Sequence, residues 1–496
     1  MRRCGRAVAG AEVAGPGVAG GGSGRSVRPG GAAASDRKRR ATRVILASLI
    51  AVAGLAACGG GGDGGDARGA CDPRLLRELK APVTIRFWHI MQRVNLTELR
   101  RQVRAFEAAN PKIRVKLVNQ AAYPELFEKF KAGLTSGDLP DVAQFEETTV
   151  QQLIDSRATV PVDACVQADR YPLDDFIPRT LEYYTVRGVL HAMPWPVSNP
   201  ILIYDRAKFA RAGLDPANPP RTFEEVREAS RRIVEAGAAR HGIALRIEPY
   251  VNEFFFAKSG QQYVNNNGGR DGRATRATLD TPIGRQIWAW WKEMVDSGLA
   301  LNTGAAPGNF DHLLAVGTGD AAMAIEASAA LGSILDVLQS GQYPGVEIGT
   351  GPLPALRPGG GVPVGDGSLW LSKRSSPVKR AAAWAFIKFL EAPEQQASLA
   401  AATGYVPVRR SAVNLKQLQD FWAARPEFRA AYDQLLVPGG PSANGSVIGD
   451  YQGVRDAVRE GLTALLTQGL SPAEALARTE RAATRAIQEY NRRIGG

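Results

Sequence analysis

Apolar residues follow regular spacings along the chain from residue 82 onward. The alternation Val83-Thr84-Ile85-Arg86-Phe87-Trp88 predicts a strand, and Leu96, Leu99, Val103 and Phe106 recur at the spacing of a helix over residues 95–109. The next patterns predict a strand at 113–118, a helix at 123–133 and a strand at 141–145. Strands that alternate with helices in this way predict βαβ units and a mostly parallel sheet.

Helical patterns dominate the second half of the chain. A strand is predicted at 201–205, and the helix at 222–236 should begin with a capping box formed by Thr222 and Glu225. Further predicted elements are a helix at 282–297, a strand at 369–371, a helix at 377–390, and amphipathic helices at 451–469 and 471–493. The chain has no internal repeat of 20 to 50 residues.

Length and composition place the body among ordinary folded proteins with two lobes. The chain has 496 residues, of which 44% are hydrophobic and 22% charged. Its net charge is +12, but residues 1–57 alone carry ten Arg or Lys against Glu12 and Asp36. The basic charge therefore belongs to an N-terminal leader, and we expect no nucleic-acid partner.

The leader is typical of an export signal. A basic block, Arg37 to Arg43, precedes fourteen uncharged residues, 44–57, a span too short for a membrane helix. The ending Leu55-Ala56-Ala57-Cys58 resembles a bacterial lipobox, which implies lipidation of Cys58; the alternative is a plain secretory signal with a chance cysteine. Residues 1–57 are thus predicted to be the leader, and 58–80 a Gly-rich lipidated tether.

Few residues offer independent chemistry. Cys71 and Cys165 could form one disulfide or remain two thiols, and the spacing leaves both open. The four histidines are too widely spaced for a sequence-local metal site, and no phosphate-binding loop, Gly-x-Ser-x-Gly or His-Glu-x-x-His motif is present. We expect neither a metal nor a cofactor.

Several short motifs occur in the order found in one protein family: Trp88-His89-Ile90-Met91, Ser136 to Val142, Tyr204-Asp205 with Ala212-Gly213-Leu214-Asp215-Pro216, Gly319 to Met323, and Thr403 to Val408. Together they resemble bacterial extracellular solute-binding proteins of the carbohydrate importer class, nearest the branch that binds sn-glycerol-3-phosphate and glycerophosphodiesters. The resemblance implies an α/β two-lobed periplasmic-binding-protein fold with a ligand cleft between the lobes and three crossing strands.

The same resemblance implies where the chain passes between lobes. Crossings are expected near Ser198, Glu326 and Leu369. The first lobe would contain residues 81–197 and 327–369, and the second, helix-rich lobe residues 198–326 and 370–496.

The resemblance also implies a ligand shell, made of Tyr123, Glu147, Trp195, Ser198, Ser328, Gly365, Asp366 and Tyr405. A carboxylate accepts hydrogen bonds from two ligand hydroxyls, and aromatic faces cover the C–H side of a sugar. Trp195 could equally belong to the core, and Glu147 could be a surface acid. Ser328 neighbours the family's serine position, which carries Ala327 here.

Two departures from the branch concern its phosphate site. Val447 stands where the branch has the arginine that holds phosphate, and Asp366 stands at a family glycine. The loss of a cation and the gain of a carboxylate point away from glycerol-3-phosphate, toward a neutral sugar or a solute with a cationic group. Arg455 is the one cation that could reach in.

The predicted function is a lipid-anchored, monomeric substrate-binding protein of an ABC importer, at the periplasmic or extracellular face of the cell envelope. It would capture a small polyol or sugar by lobe closure and deliver it to the transmembrane permease subunits without catalysing a reaction. One alternative is a carbohydrate-active enzyme that uses Glu147 and Asp366 as acid and base. Another is a ligand-sensing lobe for a signalling partner.

Overall fold

The computed structural model describes residues 71–306, 308 and 310–495. The predicted leader and Cys58 lie outside this range. The strands are β1 (Val83–His89), β2 (Ile113–Asn119), β3 (Val142–Glu146), β4 (Thr159–Val160), β5 (Thr185–Val186), β6 (Val189–Leu190), β7 (Met193–Ser198), β8 (Pro200–Asp205), β9 (His241–Leu245), β10 (Ala300–Asn302), β11 (Ala321–Ala327), β12 (Ile348–Pro352) and β13 (Gly365–Ser372).

Helices surround these strands, and the helix α8 begins with the predicted capping box of Thr222 and Glu225. The helices are α1 (Arg74–Arg77), α2 (Arg93–Ala109), α3 (Tyr123–Ser136), α4 (Val150–Ser156), α5 (Val162–Asp169), α6 (Pro178–Tyr184), α7 (Arg206–Arg211), α8 (Phe223–Glu235), α9 (Pro249–Lys258), the short turn α10 (Asn265–Gly269), α11 (Pro282–Asp296), α12 (Asp311–Thr318), α13 (Leu331–Leu338), α14 (Pro377–Leu390), α15 (Pro393–Thr403), α16 (Arg410–Val413), α17 (Lys416–Ala424), α18 (Ala430–Leu435), α19 (Tyr451–Thr467) and α20 (Pro472–Arg493).

The first sheet has the strand order β2-β1-β3-β13-β4, with β7 paired to β13. Strands β2, β1 and β3 are parallel to one another, which confirms the βαβ units predicted from the N-terminal pattern. Strand β13 is antiparallel to β3, β4 and β7, so the sheet is mixed rather than mostly parallel. The reason is that β13 arrives from the other lobe instead of through a local helical crossover.

The second sheet has the order β10-β9-β11-β8-β12. Strand β9 is parallel to β10 and β11, whereas β8 is antiparallel to β11 and β12. Two large apolar cores accompany the sheets, the second built largely from α8, α9, α11, α19 and α20. The chain therefore folds as two α/β lobes.

The predicted crossings agree with the structure at two of the three places. Strand β7 ends at Ser198 in the first sheet and β8 begins at Pro200 in the second, while β11 leaves the second sheet at Ala327. The crossing predicted near Leu369 lies instead before Gly365, where β13 begins. Leu369 is already inside the first sheet, where it pairs with Gln144 and Met193.

The division of the chain between lobes differs from the predicted boundaries. Helices α14 to α17, within residues 377–424, pack on β1, β13 and α2 of the first lobe instead of joining the second. Strand β12, at 348–352, pairs with β8 in the second sheet instead of joining the first. Both errors arise because the chain passes between the lobes more often than three strand crossings imply, and contacts distant in sequence decide where each helix packs.

A disulfide joins Cys71 to Cys165 in α5, which resolves the alternative left open by the cysteine spacing. The two positions are 94 residues apart, so the bond ties the beginning of the described chain to the first lobe. Within the residues that the structure describes, no helix combines the length and the apolar character needed to cross a bilayer.

Candidate functional site

Asp366 lies at the junction of the two lobes, on the second residue of β13. Its backbone has φ of 70°, a left-handed conformation that aspartate tolerates better than most residues. The Ser198 hydroxyl, at the end of β7, donates a hydrogen bond to Asp366 Oδ2. Two of the predicted ligand residues therefore meet where β7 leaves the first sheet and β13 enters it.

Two predicted tyrosines lie beside Asp366. Tyr123 is the first residue of α3, and its hydroxyl accepts a hydrogen bond of 2.8 Å from Gln144 Nε2. Tyr405 is 5% exposed. Burial, reinforced by the charge of Asp366, raises the pKa of both phenols well above the usual value, so both hydroxyls remain protonated.

Gly365 allows the lobes to approach each other. A Cβ atom built on Gly365 would lie 2.3 Å from the hydroxyl of Tyr250, which belongs to α9 of the second lobe. Because a real side chain cannot approach that closely, glycine is required for Tyr250 to reach this position. Gly365 thus contacts the opposite lobe here, a role that the sequence did not indicate.

Trp195 belongs to the core of the first lobe. It is fully buried in β7, and its ring centre lies 5.8 Å from that of Phe87. Of the two alternatives left by the sequence, the structure places this residue among core side chains, because its side of β7 is covered by the first lobe.

Ser328 immediately follows the second passage and is 1% exposed. Its N–H donates to the carbonyl of Asn199 at 3.0 Å, while its hydroxyl has no partner among the described residues. Its neighbour Ala327, rather than Ser328 itself, lines the cavity of about 620 Å³ that opens beside Asp366. The structure therefore brings Ser328 to the crossing but not to the cavity wall.

Glu147 follows β3 and is ion-paired across the lobes. The guanidinium of Arg455, on α19, contacts Glu147 Oε1 at 2.8 Å, Glu146 Oε1 at 3.0 Å and Glu253 Oε1 at 2.9 Å. Glu253 also accepts a hydrogen bond of 3.2 Å from the Tyr451 hydroxyl. Glu147 is 3% exposed, which excludes a solvated surface acid.

The acids of this site have displaced pKa values. Burial, together with the neighbouring Glu146, raises the pKa of Glu147 well above its ordinary value, although Arg455 opposes the shift. Three carboxylates share one guanidinium here, so the cluster favours a retained proton. Burial raises the pKa of Asp366 to about 7, with the hydrogen bond from Ser198 acting in the opposite direction.

Val447 stands where the branch that this chain resembles has a phosphate-binding arginine, and a valine cannot take over that role. Val447 is 2% exposed, and its N–H donates to the carbonyl of Gly268 at 2.7 Å. Arg455 does reach the cleft, as the sequence allowed, but three carboxylates bind it. Arg246 is likewise bound, to Glu326 at 3.0 Å and to Glu248 at 3.2 Å.

A cavity of about 620 Å³ opens beside Asp366. Its polar lining includes Asn95, Arg246, Glu326 and Asp366, and one wall is apolar. The apolar wall is formed by Phe310, Leu314, Ala327, Ala329, Ala330, Ile334 and Val337. A concave, largely apolar cavity with a few convergent polar groups is the usual form of a small-molecule site, and this volume lies in the usual range of about 300 to 1,000 Å³.

A second cavity of about 680 Å³ is lined by Tyr123 and lies between α3 and α4 of the first lobe and the ends of α19 and α20. It includes Glu146 but neither Asp366 nor Tyr405. Over residues 71–306, 308 and 310–495, no three His, Cys, Asp or Glu side chains form a group suited to a metal ion. The site is thus built from tyrosines, acids and ion-paired arginines.

Sequence reasoning missed Glu253 and Tyr250, both on α9. Asn252 and Glu253 are polar residues inside an otherwise apolar helix that is buried on nearly every face. Since a buried charge needs a partner, Glu253 was a detectable signal of a polar site. The partner, Arg455, lies 202 residues further along the chain and could not be identified from spacing.

Comparison with known proteins agrees with this architecture. The model of a family described as bacterial extracellular solute-binding protein matches residues 101–430, more than half of the chain. The sn-glycerol-3-phosphate-binding periplasmic protein UgpB of Salmonella typhimurium is 28% identical over 409 residues, covering 80% of this chain and 90% of the relative. The UgpB protein of Escherichia coli is 26% identical over 415 residues, covering 81% and 92%.

Solved structures share the fold at lower identity. UgpB from Mycobacterium tuberculosis, in complex with glycerophosphocholine, has a TM-score of 0.69 at 21% identity, covering 82% of this chain and 99% of that one. The sugar-binding protein MalE from Xanthomonas citri has a TM-score of 0.70 at 21% identity, covering 83% and 99%. The GacH receptor of Streptomyces glaucescens, solved with acarbose, has a TM-score of 0.67 at 22% identity, covering 83% and 100%. These matches establish the two-lobed periplasmic-binding-protein fold.

Proposed function

Since this chain belongs to the bacterial extracellular solute-binding protein family, we propose that it is the substrate-binding component of an ABC importer. It captures a small polyhydroxy solute in the cleft between its lobes and presents the closed form to a membrane permease. The observation that carries the proposal is that Asp366, which accepts a hydrogen bond from Ser198 where the lobes join, lines a cavity of about 620 Å³.

The solute is a sugar or polyol rather than a phosphate monoester. Val447 is apolar and buried, and Arg455 and Arg246 are bound by carboxylates. A dianionic phosphate would enter a site where Glu146, Glu147, Glu253 and Asp366 outnumber Arg455. Hydroxyl groups, in contrast, donate hydrogen bonds to carboxylates without electrostatic repulsion.

The chain performs no reaction on this solute. Glu147 Oε1 is bound to Arg455, and Asp366 accepts a hydrogen bond from Ser198, so both groups of the alternative acid and base pair are engaged. A solute incubated with the protein should be recovered unchanged. Detection of a hydrolysis product by mass spectrometry would contradict this part of the proposal.

The main test is a thermal-shift screen of the purified protein against neutral mono- and disaccharides, glycerol-3-phosphate and glycerophosphocholine. A solute at 100 times its dissociation constant should stabilise the fold by about 2.7 kcal/mol. We expect a sugar or an uncharged polyol to raise the melting temperature and glycerol-3-phosphate to leave it unchanged. A shift with glycerol-3-phosphate alone would overturn the proposed solute class.

Membrane attachment through Cys58 is part of the same proposal. It rests on the lipobox-like ending Leu55-Ala56-Ala57-Cys58 and on the Gly-rich segment that follows. In an expressing cell, the protein should fractionate with membranes, and Cys58→Ala should release it to the soluble fraction. Cys71→Ala is a poor control because it breaks the disulfide, so Ser23→Ala in the leader is used instead.

A further inference from the structure

Carboxylates and guanidinium groups of both lobes meet around the cleft. Glu146, Glu147 and Glu253 share Arg455, and Glu248 and Glu326 share Arg246. Arg93 lines the rim of the 620 Å³ cavity, where its side chain is exposed. The acids that line this cavity are Glu326 and Asp366, and among the described residues Glu326 is paired with Arg246 whereas Asp366 forms no salt bridge.

Asp366 is the carboxylate left without a cation. Among the described residues the Ser198 hydroxyl, a neutral group, donates a hydrogen bond to it. Burial, with Glu146 and Glu326 adding to it, raises the pKa of Asp366 to about 7. The side chain is only partly buried and lines the 620 Å³ cavity, so a solute there can reach the carboxylate.

The backbone at Asp366 adds a second cost. A left-handed φ of 70° suits glycine best, and a non-glycine residue in this region retains strain. Strain of this kind persists where the side chain has a role, and here the side chain lines the 620 Å³ cavity. A carboxyl group without a salt bridge among the described residues and a strained backbone therefore coincide at the position that lines the cavity.

A second unsatisfied acceptor lies deeper in the cleft. Glu147 is 3% exposed, and its Oε2 has no hydrogen-bond partner among the described residues. It lines a small cavity together with Tyr183, Glu253, Tyr263 and Tyr451. That cavity has a volume of about 20 Å³, room for about one water molecule, so this oxygen is not a contact for the body of the solute.

We propose that the solute carries a positively charged group, an amine on a sugar or polyol body, and that Asp366 binds this group. The apolar wall beyond Ala327 then covers the C–H face of the sugar. This proposal rests on the proposed function and narrows its solute class to aminated polyols.

The test compares sugars that differ in charge but little in shape. Dissociation constants are measured by calorimetry at pH 7.0 for glucosamine, glucose and N-acetylglucosamine, and for chitobiose with free amines against N,N′-diacetylchitobiose. We expect at least one free amine to bind at least tenfold more tightly than its neutral counterpart. Asp366→Asn, which keeps the left-handed backbone accessible, should abolish that preference, whereas Asp420→Asn on exposed α17 should retain it.

The outcomes separate this inference from the proposed function. Equal or tighter binding of the neutral sugars would overturn the cationic solute while leaving the solute-binding function intact. An unchanged preference for amines in Asp366→Asn would remove the assigned role of Asp366. If neither member of either pair binds and only glycerol-3-phosphate does, both the inference and the proposed solute class fail.

Discussion

Arg455 on α19 and Glu147 after β3 form a salt bridge of 2.8 Å that joins the second lobe to the first. Arg455 also binds Glu146 of the first lobe and Glu253 of its own lobe. All three carboxylates would be left without a cation if the guanidinium were removed. The ion pairs that join the two lobes at this point therefore depend on the side chain of Arg455.

Arg455→Gln should lower the free energy of unfolding by about 3 to 5 kcal/mol, the usual cost of breaking a buried pair from one side. The measurement is denaturant unfolding monitored by tryptophan fluorescence. Arg459→Gln is the matched control, because Arg459 lies on the same helix and its salt bridge among the described residues is with the half-exposed Asp456. The control should change the free energy by less than about 0.5 kcal/mol. Equal effects of both substitutions would show that the three-carboxylate cluster is not stabilised by Arg455.

Gly365→Ala should weaken solute binding at least tenfold. The added methyl group would lie 2.3 Å from the Tyr250 hydroxyl, so the lobes could not close without displacing that tyrosine. Affinity falls because the ligand must then also supply the energy that closure costs. The measurement is the dissociation constant of the solute identified by the thermal-shift screen. Gly440→Ala is the control, since no atom lies within 4 Å of the added group, and it should leave affinity unchanged.

The pH dependence of stability should report Asp366. Its pKa is about 7 in the folded chain against an ordinary value of 3.8, because burial disfavours the charged form. Between these values the folded chain retains a proton that the unfolded chain has lost, so this residue's contribution to stability decreases as pH rises from about 4 to about 7. Asp366→Asn removes that contribution. The free energy of unfolding of the variant, taken relative to that of the wild type, should therefore increase as pH rises across this window. A constant difference between the two proteins from pH 4 to pH 7.5 would contradict the assignment.

Reduction of the disulfide should destabilise the first lobe. The Cys71–Cys165 bond closes a loop with a sequence separation of 94, and loops of this size stabilise a fold by about 2 to 5 kcal/mol. Unfolding in denaturant with and without dithiothreitol measures this difference. The Cys71→Ser and Cys165→Ser double variant should match the reduced wild type and should not respond to reductant.

The sequence predicted local elements well because their signals are local. The helix at 377–390 begins and ends where its pattern and Ser376 cap indicated, and the strand at 113–118 is extended by a single residue. The strand predicted at 369–371 begins four residues earlier, at Gly365. Glycines at 365 and 367 look like a loop in sequence, but they are required where Tyr250 and Tyr123 pack against the strand.

The site was only partly predictable, for a different reason. The family resemblance predicted Tyr123, Ser198, Asp366 and Tyr405 as ligand residues, and the structure brings these four residues together. Arg455, however, lies 308 positions after Glu147, and no spacing rule connects them. Trp195 shows why the sequence left two alternatives open, because an aromatic residue near a crossing can face either the ligand or the core.

Ser198 and Gly365 are also paired neighbours in the first sheet, so the end of β7 and the beginning of β13 lie side by side as a two-stranded antiparallel ribbon where the chain joins the lobes. A ribbon resists sliding of one strand past the other but allows bending and twisting. We therefore expect rotation of the lobes to bend this ribbon at residues 198 and 365. Because Asp366 lies on that ribbon and accepts a hydrogen bond from Ser198, a solute bound to its carboxylate would act at the hinge itself.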